Sequence, residues 1–204
     1  LYTPGSVFKI VTLAAALEHD PNVLSQTFVC SGEWKYEGGS IVCAGRTAHG
    51  TIDLETAFAR SCNVTFGKLA YQLGLNRLRE TAEKMGFNEN MKLGDFAIYN
   101  SKFPTDSSNM SDLVWAGIGQ STVLVTPMHM CMVAAAIAND GVMMEPRLLS
   151  LVESPTGKVR LRYSQKVYRT ACSPALAQII ELCRAEGIEA ALLAVPYPAD
   201  EAKQ

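Results

Sequence analysis

Ser6 and Lys9 stand three residues apart at the opening of a strongly apolar stretch, residues 8–17. In a helix that spacing puts both side chains on one face, with Cβ atoms roughly 5–6 Å apart. A serine hydroxyl is a weak nucleophile at neutral pH and needs a base beside it. A lysine that burial relieves of its proton is such a base. The pair therefore points to acyl transfer through a serine ester. A serine followed at the third position by a lysine is also a common string, so a second element is needed to give it weight.

That element is Ser61-Cys62-Asn63. Ser61 can relay a proton between Lys9 and a leaving amine, and Asn63 can orient Lys9 or hold a substrate amide. A simpler reading is that the two residues cap a helix beginning at Val64.

The elements that must position these groups follow from the pattern. Pro4-Gly5 closes an extended segment, and an apolar helix over 8–17 runs to Asp20-Pro21-Asn22. A helix apolar on all sides is a buried one, which would hold Ser6 and Lys9 rigidly and desolvate the amine. Residues 27–30 and 40–43 read as strands of a hairpin around Gly38-Gly39, with Cys30 opposite Cys43, either as a disulfide or as two reduced thiols. His49-Gly50-Thr51 reads as a turn. Helices are expected over 53–60, 64–73, 76–85, 128–138 and 175–184, an irregular polar loop over 92–110, and a hairpin from 148–152 and 159–163.

The 204 residues suit one domain, and the net charge of −2 with no like-charge block leaves no basic footprint for nucleic acid. No apolar run approaches the roughly 18 residues of a membrane span. The chain opens on Leu1 and reaches the nucleophile almost at once, so any anchor is expected upstream. None of the six cysteines forms a C-x-x-C pair, which leaves a zinc site poorly supported. Neither metal nor cofactor is expected. Cys131, Cys172 and Cys183 are expected in the core, as are Met128, Met130, Met132, Met143 and Met144. Cys62 is expected to face away from the cleft. His19, His49 and His129 have no carboxylate spaced for a Ser-His-Asp triad.

Together, S-x-x-K and S-x-N form two of the three motifs of penicillin-binding proteins and class A β-lactamases. Longer segments agree in order. Tyr2-Thr-Pro-Gly-Ser-Val-Phe-Lys-Ile-Val-Thr resembles the nucleophile segment of class B penicillin-binding proteins. His49-Gly50-Thr51 with Ala57 resembles the approach to their second motif. Gly117-Ile118-Gly119-Gln120, Val125-Thr126-Pro127-Met128 and Ala138-Asn139-Asp140-Gly141 resemble the stretch before their third. The resemblance covers residues 1–186 of a partial transpeptidase domain, with 187–204 an atypical tail. It implies an α/β fold of the α+β type, a helical subdomain packed on an antiparallel sheet truncated at both ends.

The resemblance also implies a mechanism. Ser6 attacks the penultimate D-Ala of a D-Ala-D-Ala peptidoglycan stem peptide, Lys9 is the base, and Ser61 and Asn63 serve the amine. A β-lactam would acylate the same serine. A glycan-synthase partner and a membrane anchor would be reached through regions outside these residues, at the extracytoplasmic face of the cell membrane. The third motif, Lys-Thr/Ser-Gly, does not occur; Thr156-Gly157-Lys158 has the wrong order, and Gly187 to Val195 carries no lysine. That predicts no penicillin labelling of the 204 residues alone, with labelling of a longer chain. The alternatives are a catalytically inactive or β-lactam-sensing module and, less favoured, a serine β-lactamase.

Overall fold

The computed structural model describes residues 1–94, 96–106 and 109–185. At its centre lies helix α1 (Lys9–His19), which follows directly on a 3-10 turn, Gly5–Phe8. Every residue from Lys9 to Ala16 is buried, as an all-round apolar helix must be. Phe8 fixes its start, stacked on Phe103 at 5.6 Å between ring centroids and edge-on to Phe87 at 5.5 Å. The helix ends where the Asp20 N–H reaches the Ala16 carbonyl at 2.9 Å.

Helix α2 (Leu54–Ala59) is capped by the Asp53 carboxylate, which accepts from the Thr56 N–H. It leads through a tight turn into α3 (Asn63–Lys84), which packs along α1. At Gly74 φ is 72° and ψ 168°, so α3 is broken there into the two helices that the sequence leads one to expect. Helix α5 (Pro127–Ile137) begins with Thr126 as N-cap and proline in its first turn. Helix α6 (Pro174–Ala185) packs on α1 and α2. A further helix, α4 (Met110–Ala116), is not anticipated by the polar pattern before it; the Asn109 side chain starts it by accepting from the Ser111 N–H.

The strands are β1 (Thr27–Cys30), β2 (Glu33–Tyr36), β3 (Gly39–Val42), β4 (Gly50–Asp53), β5 (Lys92–Leu93), β6 (Phe96–Ala97), β7 (Val142–Met144), β8 (Leu151–Glu153), β9 (Val159–Arg162) and β10 (Val167–Thr170). Among the described residues they form five two-stranded antiparallel pairs: β1 with β4, β2 with β3, β5 with β6, β7 with β10, and β8 with β9. The α+β class is as expected, with the antiparallel element divided among these pairs.

One pairing differs from the expectation. Residues 40–43 turn back onto β2, not onto β1. The reason is local: Glu37-Gly38, with Gly38 at φ 91°, closes a two-residue hairpin. Trp34 and Tyr36 then cluster with Tyr71 of α3. Strand β1 pairs instead with β4, so Gly50 opens a strand and is not the middle of a turn. Cys131 is also corrected, being exposed on α5, and Cys172 is half-buried; only Cys183 of the three is a core thiol. Met132 and Met143 are buried, and Met128, Met130 and Met144 are half-buried. His129 is buried, its Nε2–H donating to the Met85 carbonyl at 2.8 Å. The tail 187–204 lies outside the described residues.

Candidate active site

Ser6 sits exposed in the 3-10 turn, and Lys9, one turn on, is 1% exposed. Lys9 Nζ lies 3.1 Å from Ser6 Oγ. It also meets Ser61 Oγ and the Ser61 carbonyl, each at 2.8 Å, and Asn63 Oδ1 at 2.7 Å. Ser6, Ser61 and Asn63, singled out in the sequence with Lys9, thus converge on its amine nitrogen.

The α2–α3 turn makes this possible. Ser61 has φ 51°, in the left-handed region that costs a non-glycine residue about 1–3 kcal/mol. This tight reversal turns both the hydroxyl and the carbonyl of Ser61 toward Lys9. Asn63 is held from the other side, its Nδ2 donating to the Val42 carbonyl at 2.9 Å. That bond leaves Oδ1 aimed at the amine.

Burial pulls Lys9 down from the ordinary lysine value to about 8, against a smaller opposing influence of the Cys62 and Cys43 thiols. The proton count is informative. The Ser61 carbonyl and Asn63 Oδ1 can only accept, so they take two N–H bonds. A neutral amine then has its lone pair left for a hydroxyl proton, and both serine hydroxyls are within reach. An ammonium would place its third proton there instead.

The Gly117-Ile118-Gly119-Gln120 segment is the seat of the turn that carries Ser6. The Gly5 N–H donates to the Gly119 carbonyl at 2.8 Å, and Thr12 Oγ1 donates to the Gly117 carbonyl at 2.6 Å. Gly119 has φ 74°, and a Cβ there would stand 2.1 Å from the Gly5 carbonyl oxygen and 2.6 Å from Phe8 Cβ. Gly119→Ala is therefore expected to cost about 1–3 kcal/mol and to displace Ser6. Thermal unfolding and the acylation rate should both fall; an unchanged midpoint would show that the turn tolerates the methyl group.

Sequence reasoning missed a second cluster. Cys30, Cys43, His49 and Cys62 come together beside the Ser61–Asn63 turn, all their ligand atoms within 4.8 Å of one another. The lack of a C-x-x-C pair argued against such a grouping, but its members come from separate segments. Cys62 does turn inward, away from the hydroxyls, as expected. Burial pushes its thiol up to about 12. At Cys30 burial acts the same way but is outweighed by the N–H groups of His49 and Gly32, which draw the thiol down to about 6.

Residues 1–177 match the family model of the penicillin-binding protein transpeptidase domain. The chain belongs to this family. It is 29% identical over 184 residues to the peptidoglycan D,D-transpeptidase PbpA of Mycolicibacterium smegmatis, covering 86% of this chain and 36% of that protein. It is 30% identical over 149 residues to the stage V sporulation protein D of Bacillus subtilis, covering 71% of this chain and 23% of that protein. Among solved structures, the D,D-transpeptidase domain of a peptidoglycan glycosyltransferase from Eggerthella lenta superposes with a TM-score of 0.81 at 30% identity, over 90% of this chain and 48% of that one. The imipenem acyl-enzyme of penicillin-binding protein A from Mycobacterium tuberculosis does so with a TM-score of 0.84 at 26% identity, over 96% of this chain and 46% of that one. The family chain described here thus spans about a third or less of the curated relatives just named.

Proposed function

We propose that the chain carries the nucleophile and proton-transfer groups of a peptidoglycan D,D-transpeptidase. The observation that carries this reading is the position of Lys9 Nζ between the Ser6 and Ser61 hydroxyls, with both obligate acceptors on its other sides. Ser6 Oγ attacks the carbonyl carbon of the penultimate D-Ala, and its proton passes to Lys9. Backbone N–H groups in the first turn of a helix have no intrahelical acceptor, and that of Ser6 serves the developing oxyanion. As the C–N bond breaks, the proton reaches the leaving D-Ala amine through Ser61. An amine of a second stem peptide then attacks the ester, returns its proton to the relay and frees Ser6. Asn63 holds Lys9 in line.

A β-lactam presents a strained amide to the same hydroxyl and leaves an ester in place of the crosslink. The mycobacterial relative solved as acyl-enzymes with two β-lactams supports this. The substrates are stem peptides ending in D-Ala-D-Ala, at the extracytoplasmic face of the cell membrane. No helix among the described residues is long and apolar enough to cross a membrane. A glycan synthase would be the partner that supplies strands to crosslink.

The experiment is intact-mass spectrometry of the natural gene product after incubation with a penicillin. A stable adduct of the whole drug, mapped to Ser6, is expected. Rapid release of hydrolysed drug would instead identify a β-lactamase, and an adduct elsewhere would overturn the assignment.

The lowered Lys9 sets a pH dependence. The base is the neutral amine, so acylation should fall about tenfold per pH unit below about 8 and level off above it. An inflection near 10.5, the ordinary lysine value, would refute the desolvated base. The sign for stability follows from proton binding. The unfolded chain holds this proton up to about 10.5 and the folded chain only to about 8. The unfolded form therefore binds more protons between those values, and stability rises with pH across that window.

A further inference from the structure

Four side chains outside the reaction remain unexplained. Cys30 ends β1, Cys43 follows β3, His49 precedes β4, and Cys62 is the N-cap of α3. The sulfurs of Cys30 and Cys43 are 3.6 Å apart, and those of Cys43 and Cys62 3.7 Å. His49 Nδ1 stands 3.4 Å from the Cys30 sulfur and 3.7 Å from that of Cys43. These are not bonded sulfurs, since a disulfide would bring two of them to about 2.05 Å.

The spacing has a specific meaning. A tetrahedral ion with metal–sulfur bonds of about 2.3 Å and a metal–nitrogen bond of about 2.0–2.1 Å needs sulfur–sulfur edges of about 3.8 Å and sulfur–nitrogen edges of about 3.5 Å. The four edges just given agree with both, and the remaining two, from Cys62 to Cys30 and to His49, lie within 4.8 Å. Three thiols and one imidazole are a soft donor set, suited to zinc and poorly suited to magnesium or calcium. We propose that Cys30, Cys43, His49 and Cys62 form a closed tetrahedral site for a zinc-type divalent cation, which clamps the Ser61-Cys62-Asn63 turn to the strands beside it.

The surroundings are built for such a clamp. The Cys62 sulfur accepts from the Thr65 N–H at 3.4 Å and from Thr65 Oγ1 at 3.2 Å, the outer-shell bonds that orient a thiolate ligand. The Cys43 N–H donates to the Gly32 carbonyl at 2.9 Å, and the His49 N–H to the Cys30 carbonyl at 3.1 Å, so the ligand loops are tied before any ion arrives. Four protein ligands leave no open position, so the ion holds structure and does not touch substrate. It enters as the divalent cation, and each thiol that is protonated releases its proton on binding. Cys62 lies between the two residues that meet Lys9. A clamp at Cys62 and Cys43 therefore also fixes Asn63, which already leans on the Val42 carbonyl.

The test is elemental analysis of the tag-free protein, purified without chelator or added metal. About one zinc per chain is expected. Cobalt replacement should give thiolate-to-metal charge transfer and the intense visible bands of a tetrahedral site. Cys43→Ser and His49→Ala should each weaken binding by at least about tenfold. His49→Cys should retain the metal, which separates a lost ligand from a lost fold, and Cys131→Ser should change nothing. Chelation should lower the thermal midpoint and slow acylation. Ser6→Ala should keep the full metal content, so failure of the proposed acyl transfer and failure of the metal site are distinguishable. Metal far below stoichiometry with thiols 30, 43 and 62 equally reactive with and without added zinc would overturn the proposal. So would a Cys30–Cys43 disulfide in protein purified without reductant, or an octahedral cobalt spectrum.

Discussion

Ser6→Ala is expected to abolish covalent labelling by a penicillin in the natural gene product, a loss on the order of 10⁶-fold that puts the rate below detection. The reason is chemical: among the described residues the Ser6 and Ser61 hydroxyls meet the buried amine, and Ser6 is the exposed one. Ser61 is also 2.8 Å from Lys9 Nζ, but its backbone reversal points it back toward the amine. Because Ser6 is exposed, removing its hydroxyl should change stability by less than about 0.5 kcal/mol. Unchanged thermal unfolding together with lost labelling is the expected result. Labelling within tenfold of the wild type would remove Ser6 from the mechanism.

Lys9→Arg is expected to lower acylation by about 10²–10⁴-fold, the usual contribution of a general base. Arginine keeps a cation near Ser61 and Asn63, yet it does not lose its proton in a protein. A lysine acting only by charge would survive the exchange with most of its rate. Lys9 is 1% exposed, and the larger guanidinium strains that space, so Lys9→Met should be measured beside it. Methionine fills the apolar stem and removes the nitrogen altogether. Both variants should lose the inflection near pH 8 along with the rate. Retention of that inflection in either would show that it belongs to a different group.

Much of this site was legible in the sequence because it is written in short spacings. Ser6 and Lys9 need only one helical turn to face each other, and the apolar run from Phe8 onward fixes that turn. The same run indicates burial, and burial lowers the amine. The resemblance of Ser61-Cys62-Asn63 to a second family motif placed it at the same centre. Capping and catalysis are not exclusive there: Cys62 is the cap of α3, while Ser61 and Asn63 turn toward Lys9. The break at Gly74 was likewise readable from one residue.

The strand pairing was not. A two-residue turn at Glu37-Gly38 drew β3 onto β2, and β1 was left for β4. The turn that joins β2 to β3 is local, but the partner left for β1 lies far along the chain, and no local pattern names it. The thiol–imidazole cluster depends on that choice. Its members stand where separate strand pairs end against the cap of α3, and the sequence spacing carries no sign of it. The sequence alone was enough to set Ser6 beside Lys9 on a buried helix, since this rests on spacing and polarity within one element. That Ser61 and Asn63 reach the same nitrogen, and that Cys30, Cys43, His49 and Cys62 converge beside it, follows from the three-dimensional fold. Both outcomes depend on how α1, α3 and the strands pack together, and packing is a property of the whole chain.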